Sequence, residues 1–219
     1  MIELVAFLGN PGGEYEGNRH NAGWLLARRL PFFPALNWQR KFKGRYASLE
    51  SAALRPMPAE EPEAPARRIP PDTPQGPDRA GLPEKIHLLM PETYMNRSGD
   101  SVRAAASFFK IPPEHILVVH DELELPLGSA ALKFSGGLGG HNGLRSMKAA
   151  FGTADFWRLR IGIGRPDHDD ISAWVLSDFS PPEEPVLEQV LAVSAEALVR
   201  SLLSGPDSLL PEWHKKKIL

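Results

Sequence analysis

The chain of 219 residues is 42% hydrophobic and 24% charged, which predicts a globular protein with one well-buried core. Its formal net charge of −2 at pH 7 excludes a protein that coats nucleic acid through bulk positive charge, but leaves room for a local basic patch. The absence of cysteine excludes disulfides, thiolate catalysis and sulfur-ligated zinc. We therefore expect a single domain over residues 1–219, with any site built from oxygen and nitrogen groups.

Apolar runs in this sequence are all short. None approaches the roughly 20 residues of a membrane-spanning helix, and no basic segment precedes the first apolar run, as it would in a secretory signal. We therefore expect a soluble, cytoplasmic protein that does not contact membranes.

The first apolar run, residues 2–8, predicts a buried strand that ends at the turn Gly9-Asn10-Pro11-Gly12. A short apolar stretch at residues 24–30 predicts a helix, and His20 lies between the two among amide side chains. Residues 38–54 alternate between polar and apolar, which predicts a hairpin or an extended strand.

Residues 55–81 have an unusual composition. They are rich in proline and contain scarcely any large apolar residue, so they cannot bury enough surface to offset the entropy lost on ordering. We interpret this segment as a surface insertion, mobile or partly polyproline-like, and a tolerated loop extension explains it better than a PxxP ligand does.

The remainder of the chain mixes strands with helices. Apolar or alternating runs predict strands at residues 85–91, 116–122, 130–134 and 156–164. Helical spacing predicts helices at residues 98–110, 144–151, 171–176 and 181–203. We expect Ser98 or Asn96 to cap the first of these helices and Asp169-Asp170 to cap the third. This pattern predicts an α/β fold with a twisted, mostly parallel but mixed central sheet, flanked by helices on both faces.

Polar side chains follow the apolar runs of three predicted strands. Asn10 and His20 follow the first, Asn96 follows the second, and His120-Asp121 ends the third. Because strand ends converge on one crevice in an open α/β sheet, we expect one site, in which Asp121 orients His20. Amide groups at Asn10, Asn96 and Asn142 suit the binding of a peptide backbone or an oxyanion.

Simpler explanations exist for each of these features. An asparagine before Pro-Gly is usually a turn residue, and a lone histidine is usually part of the structure. The glycine-rich loop at residues 136–143 matches neither a dinucleotide fingerprint nor a Walker A motif, and no G-x-S-x-G occurs. A metal site is the less favoured hypothesis, because the candidate ligands match no dense ligand motif. These candidates are His20, His120, Asp121, His141, His168 and Asp169.

Several motifs in the same order resemble those of the bacterial-type peptidyl-tRNA hydrolases, over almost the whole chain except the insertion and the C-terminal tail. The motifs include Gly9-Asn10-Pro11-Gly12, Arg19-His20-Asn21-Ala22-Gly23, Thr93-Tyr94-Met95-Asn96, His120-Asp121-Glu122-Leu123, Gly139-Gly140-His141-Asn142-Gly143 and Arg158-Leu159-Arg160-Ile161-Gly162. The resemblance implies an esterase that cleaves the bond between a peptide and the terminal ribose of tRNA, and recycles prematurely released peptidyl-tRNA.

The resemblance also implies roles for individual residues. It makes His20 the base that activates water and Asp121 the carboxylate that orients it. Asn10 and Asn96 flank the scissile ester, and Asn142 positions the water or the peptide. Two further pairs complete the assignment, a groove wall and a clamp for the terminal 5′-phosphate of tRNA. These pairs are Tyr15 with Met95, and Lys133 with Arg160.

No metal and no other cofactor is implied, and we expect a monomer without a stable protein partner. The chain departs from the family at Ala131, where some members carry another lysine beside the clamp. The basic tail at residues 213–217 is expected to be solvated and frayed. Two alternatives stay open: a non-catalytic RNA-binding protein on the same scaffold, and a metal-dependent phosphohydrolase.

Overall fold

The structure is a computed structural model that describes residues 1–54, 82–167 and 169–219. The predicted insertion at residues 55–81, and His168 of the candidate metal ligands, lie outside this part. Eight strands are formed within it. They are β1 (Leu4–Phe7), β2 (Gln39–Lys41), β3 (Gly44–Glu50), β4 (Lys85–Pro91), β5 (Ile116–Glu122), β6 (Ser129–Phe134), β7 (Trp157–Gly162) and β8 (Lys216–Lys217).

These strands form one sheet in the order β2-β3-β4-β1-β5-β7-β6-β8. The central strands β4, β1, β5 and β7 are parallel, whereas the strands on both sides of them pair antiparallel. The prediction of a mixed sheet is confirmed, but among the described strands three pairings, at the centre, are parallel and four are antiparallel. Every residue of β1 and β5 is buried, as is typical of parallel strands covered on both faces.

Helices cover both faces of the sheet, as predicted. They are α1 (Ala22–Ala27), α2 (Ser98–Phe109), α3 (Asn142–Phe151), α4 (Ile171–Val175), α5 (Glu184–Ser204) and α6 (Leu210–Trp213). Successive residues of a strand point to opposite faces. Val5 accordingly lies in an apolar cluster with residues of α1 and α5, while Leu4 lies in a second cluster with residues of α2 and α3. No described helix is both long and apolar enough to cross a bilayer.

The predicted cap of α2 is wrong. The residue that precedes the helix is Arg97, and its side chain makes no capping hydrogen bond. A 3₁₀ turn at Met95–Arg97 runs directly into α2, so Ser98 is already helical and its hydroxyl donates backwards to the carbonyl oxygen of Met95 at 2.9 Å. The cap of α4 is confirmed, because Oδ1 of Asp170 accepts a hydrogen bond from the backbone N–H of Ala173 at 2.9 Å.

The C-terminal tail is not frayed, contrary to expectation. Trp213 is only 2% exposed and belongs to the apolar cluster beneath α5. Beyond it, β8 pairs antiparallel with β6, and the backbone N–H of Ile218 donates to the carbonyl oxygen of Gly128 at 2.8 Å. Burial of one large aromatic side chain therefore fixes the basic segment against the edge of the sheet.

Candidate active site

An open cleft of about 540 Å³ lies where the central parallel strands end. Strand ends in α/β sheets commonly form such crevices, and the sequence predicted a site at this place. Six of the predicted residues line the cleft. They are Asn10, His20, Met95, Asn96, Asp121 and Asn142.

His20 and Asp121, which are 101 positions apart in the chain, form a hydrogen-bonded pair. Nδ1 of His20 lies 2.9 Å from Oδ1 and 3.0 Å from Oδ2 of Asp121. His20 belongs to the 3₁₀ turn Arg19–Asn21 that precedes α1, and Asp121 is near the end of β5. The helix comes close enough because Gly23 lacks a side chain, since a Cβ there would meet the carbonyl oxygens of Leu8 and Val119 at 2.5 and 2.7 Å.

The same carboxylate binds a second imidazole, which the sequence analysis considered only as a candidate metal ligand. Nε2 of His141 lies 3.0 Å from Oδ1 of Asp121. Nδ1 of His141 accepts hydrogen bonds from the backbone N–H groups of Gly143 and Leu144, which start α3. Because Nδ1 acts as an acceptor, the proton of this neutral ring is on Nε2 and points at Asp121. The position of His141 directly before the predicted helix was the sequence signal that could have indicated its role, because the ring caps this helix.

These contacts also fix the state of His20. A carboxylate accepts only, so Nδ1 of His20 carries a proton, and in the neutral ring Nε2 carries the lone pair. Within the described parts of the chain, Nε2 of His20 has no hydrogen-bond partner, and the ring lines the cleft. The pair therefore presents a base to whatever occupies the cleft.

The buried pair shifts two pKa values. Burial alone lowers the pKa of His20, but the charge of Asp121 and its hydrogen bond outweigh burial and raise it above the usual value. Burial alone raises the pKa of Asp121, but the imidazoles of His20 and His141, with their hydrogen bonds, hold it well below its usual range. Asp121 is thus ionised at neutral pH, and it strengthens His20 as a base.

Asn10 has a structural role that the turn interpretation did not include. Its backbone N–H donates to Oδ1 of Asn21 at 2.7 Å, and its Oδ1 accepts from the backbone N–H of Met95 at 2.7 Å. The residue thereby ties together the chain segments that follow β1 and β4. Within the described residues Nδ2 donates to no acceptor, so this donor is available to a ligand.

Arg19, which directly precedes His20 in the chain, has a structural role. Its side chain is 3% exposed and pairs with Glu183 at 2.6 Å, and the guanidinium lies 3.8 Å from the ring centroid of Trp174. Trp174 belongs to α4, whose residues Ile171 and Val175 line the cleft. Arg19 therefore fixes one wall of the cleft to the turn that carries His20.

The two predicted clamp residues lie on neighbouring strands. Lys133 is on β6 and Arg160 is on β7, where Ala131 is opposite Arg160. Lys133 is thus the diagonal neighbour of Arg160 on one face of the sheet, with Cα atoms about 7–8 Å apart. Nε of Arg160 donates to Oε2 of Glu122 at 2.9 Å, which connects the clamp to the cleft that Glu122 lines. Among the described residues, Lys133 forms no ion pair.

Arg158 lies on β7 two residues before Arg160 and is 2% exposed. Its guanidinium donates to the carbonyl oxygens of Gly137 and Gly136 at 2.6 and 3.0 Å. It therefore holds the glycine-rich loop in place and is not available to a ligand.

Tyr15 does not line the cleft, but it contacts a residue that does. Its ring meets that of Tyr94 edge to face, with centroids 6.5 Å apart. Tyr94 is 55% exposed and lines the cleft beside Met95. The predicted groove wall thus includes Tyr94, which the sequence analysis did not single out.

Among the described residues, His20, Asp121 and His141 are grouped closely enough to be considered as metal ligands, with candidate atoms within 4.8 Å of one another. A ligating nitrogen must carry a lone pair. Nε2 of His141 carries the proton, because Nδ1 caps α3. His120, from the predicted set, is 1% exposed, and its Nδ1 donates to the carbonyl oxygen of Asp121 at 2.6 Å. The protonation pattern thus suits a hydrogen-bonded network better than a metal site.

Comparisons with known proteins identify the family. The sequence model of the family described as "Peptidyl-tRNA hydrolase" matches residues 4–62 and 73–218. The chain is 43% identical to the peptidyl-tRNA hydrolase of Treponema pallidum, with 100% of this chain and 97% of the relative covered. It is 40% identical to that of Desulfitobacterium hafniense, with 98% and 100% covered.

A solved structure gives the same result for the fold. The crystal structure of peptidyl-tRNA hydrolase from Acinetobacter baumannii superimposes with a TM-score of 0.74 and 32% identity, covering 95% of this chain and 92% of that one. The family resemblance predicted from the motifs is thereby confirmed, and this chain belongs to the peptidyl-tRNA hydrolase family.

Proposed function

We propose that this chain hydrolyses the ester bond between a peptide, or an N-blocked aminoacyl group, and the terminal ribose of tRNA. The observation that carries the proposal is the His20–Asp121 pair at 2.9 Å, whose remaining imidazole nitrogen lies in a cleft lined by amides. Family membership supplies the substrate class, and the pair supplies chemistry that suits an ester.

In the first step, Nε2 of His20 takes a proton from a water molecule, whose oxygen attacks the ester carbonyl carbon. The tetrahedral intermediate then collapses and expels the ribose oxygen. This oxygen takes the proton back from His20, so that the products are a peptide acid and tRNA with a free hydroxyl group. Asp121 stabilises the transient imidazolium and fixes its orientation, as a carboxylate does in hydrolytic triads.

Amide groups around the cleft suit the developing negative charge and the peptide backbone. Asn96 and Asn142 are exposed residues that line the cleft, and each side chain can donate and accept. Oδ1 of Asn10 accepts from the backbone N–H of Met95, and its Nδ2 contributes a donor. Donors held in place before the reaction stabilise an oxyanion without reorganisation.

Lys133 and Arg160 suit the terminal 5′-phosphate of the tRNA. The guanidinium is oriented through its Nε by Glu122, which leaves the two terminal nitrogens for an anion. Arginine binds phosphate through such a planar pair of donors. The bond to Glu122 fixes the clamp relative to the cleft, so that one substrate can reach both.

The same proposal places the protein in the cytoplasm, where peptidyl-tRNA arises during translation. It needs no second subunit, because the base, its carboxylate, the amides and the clamp come from one chain. A non-catalytic RNA-binding protein is not favoured, because binding alone gives no reason to bury an ionised carboxylate against His20.

The test is hydrolysis of a purified N-acetyl-aminoacyl-tRNA beside the free aminoacyl-tRNA, each with and without a chelator. We expect turnover of the blocked substrate, and we expect the chelator to change nothing. A purified protein that binds the blocked tRNA without cleaving it would favour the binding alternative. Loss of turnover in chelator, restored by added metal, would favour a metal-dependent reaction.

A further inference from the structure

The C-terminal strand β8 brings a lysine to the face of the sheet that carries the candidate clamp. It pairs with β6 in the register Ser129 with Lys217 and Ala130 with Lys216. Directly opposed residues of an antiparallel pair share a face, and residues two apart along a strand share it too. Lys217 therefore lies on the face of Ser129 and Ala131, and Ala131 is opposite Arg160.

The neighbouring lysine of the same strand has the opposite environment. Lys216 is opposite Ala130, which belongs to the apolar cluster beneath α5. Its Nζ donates to Oε1 of Glu212 at 2.9 Å. Lys217 is exposed, and within the described residues it forms no ion pair. The two adjacent lysines thus differ in charge environment: Glu212 neutralises Lys216, whereas no described carboxylate neutralises Lys217.

The position of Lys217 is fixed by the fold. Trp213 anchors the tail from one side at 2% exposure. On the other side, the backbone N–H groups of Ile218 and Leu219 both donate to the carbonyl oxygen of Gly128, at 2.8 and 3.2 Å. The ammonium group is therefore presented from an ordered backbone, which lowers the entropy lost when an anion binds.

Three cations then lie on three neighbouring strands. Arg160 is on β7, Lys133 is on β6 and Lys217 is on β8. Ala131, the residue between Arg160 and β8, has a small apolar side chain that neutralises neither cation. Lys217 is the diagonal neighbour of Ala131, about 7–8 Å away. A nucleic-acid backbone carries one negative charge on each phosphate, so a row of cations suits more than one phosphate.

We propose that Lys217 is a third cation of the tRNA-binding surface, which holds a backbone phosphate beside the one held by Lys133 and Arg160. This inference rests on the proposed function, because it takes peptidyl-tRNA as the ligand. It gives the ordered C-terminal strand a role in substrate affinity and none in the ester chemistry.

The test compares Lys217→Ala with Lys216→Ala, a matched control that removes the same charge from the other face. With N-acetyl-aminoacyl-tRNA as substrate, we expect Lys217→Ala to raise KM about threefold and to leave kcat unchanged. The slope of log(kcat/KM) against log salt should decrease by about 1. Lys216→Ala should change neither KM nor the salt slope, and Lys217→Arg should have the same KM and salt slope as the unaltered protein.

A short substrate gives a second readout. An N-acetyl-aminoacyl ester of a CCA trinucleotide offers no acceptor stem, so Lys217→Ala should not alter its hydrolysis. Equal effects of Lys217→Ala and Lys216→Ala, or equal loss on both substrates, would overturn the inference. If the unaltered protein cleaves neither substrate, the proposed function itself fails. If Lys133→Ala and Arg160→Ala raise KM but Lys217→Ala does not, only the role of Lys217 is wrong.

Discussion

His141 donates a hydrogen bond from Nε2 to Oδ1 of Asp121 at 3.0 Å, while Nδ1 of the same ring caps α3. One side chain therefore connects the start of a helix to the carboxylate that orients His20. A buried carboxylate with two imidazole partners is held more firmly than one with a single partner. The position of His20 consequently depends on the loop before α3, as well as on its own turn.

Replacing His20 by alanine should remove the base and leave the cleft otherwise intact. We expect kcat to decrease by about 10²–10⁴-fold, the usual contribution of general base catalysis, with little change in affinity for substrate. Single-turnover rates and equilibrium binding of N-acetyl-aminoacyl-tRNA measure the two quantities separately. A variant that keeps most of its rate would exclude His20 from the chemistry.

Asp121→Asn should remove the orienting charge while keeping the shape of the side chain. We expect the rate to decrease by about one to three orders of magnitude, because the imidazolium loses its electrostatic partner. Measurement of kcat with saturating substrate tests this expectation. Unchanged kinetics would show that the pair has no part in turnover.

The pH profile of the same variant gives an independent test. Catalysis needs unprotonated His20, so the rate should increase with pH through the pKa of this residue, which Asp121 holds above the usual value. Asp121→Asn removes the charge that raises the pKa of His20, and burial of the imidazole then lowers this pKa. The acidic limb of the kcat/KM profile should therefore move to lower pH. A limb that stays in place would assign it to another group.

His141 offers a pair of variants that separate its two contacts. His141→Ala removes both the cap of α3 and the donor to Asp121, and should cost about 1 kcal/mol of stability for the cap alone. His141→Asn keeps a good capping residue but is too short to reach Asp121. We expect both variants to lose about tenfold in kcat, because His20 is positioned less exactly, and His141→Ala to lose about 1 kcal/mol more stability in urea denaturation than His141→Asn. Full activity of His141→Asn would make the residue purely structural.

The clamp can be tested by removing both cations. Lys133→Ala combined with Arg160→Ala should raise KM and weaken the salt dependence of binding, because fewer counterions are released. Filter binding of tRNA across a salt series measures the slope. The same slope as in the unaltered protein would place the tRNA elsewhere on the surface.

Arg19 should matter mainly for stability. Arg19→Ala leaves Glu183 without its cation and removes the guanidinium that packs on Trp174. We expect a loss of about 2 kcal/mol in the free energy of unfolding, between the values typical of buried and of exposed ion pairs, because Arg19 is buried and Glu183 is partly exposed. Denaturation in urea measures this loss. Arg29→Ala is the control, because it breaks the exposed ion pair with Glu188, for which a loss of about 0–1 kcal/mol is expected.

Much of the fold followed from local sequence patterns. Strands β1, β4 and β5 are short apolar runs bounded by turns, and the hairpin of β2 and β3 is an alternating segment. Asn10 and Asn96 follow predicted strands and Asp121 lies at the end of one, and this was enough to place them together at one end of a parallel sheet. The cap of α2 was beyond reach, because a 3₁₀ turn before a helix leaves no distinct pattern.

The sequence by itself determined which residue types meet at the ends of the strands, because the carboxyl ends of parallel strands lie at one edge of the sheet. Only the tertiary structure decided how they pair. The hydrogen bond between His20 and Asp121 spans 101 positions. His141 binds the same carboxylate while it caps α3, and no residue spacing in the sequence indicates this contact. Register alone separated Lys216, bound to Glu212, from Lys217 on the face of the clamp. Such contacts depend on side-chain geometry across distant segments, which local periodicity does not encode.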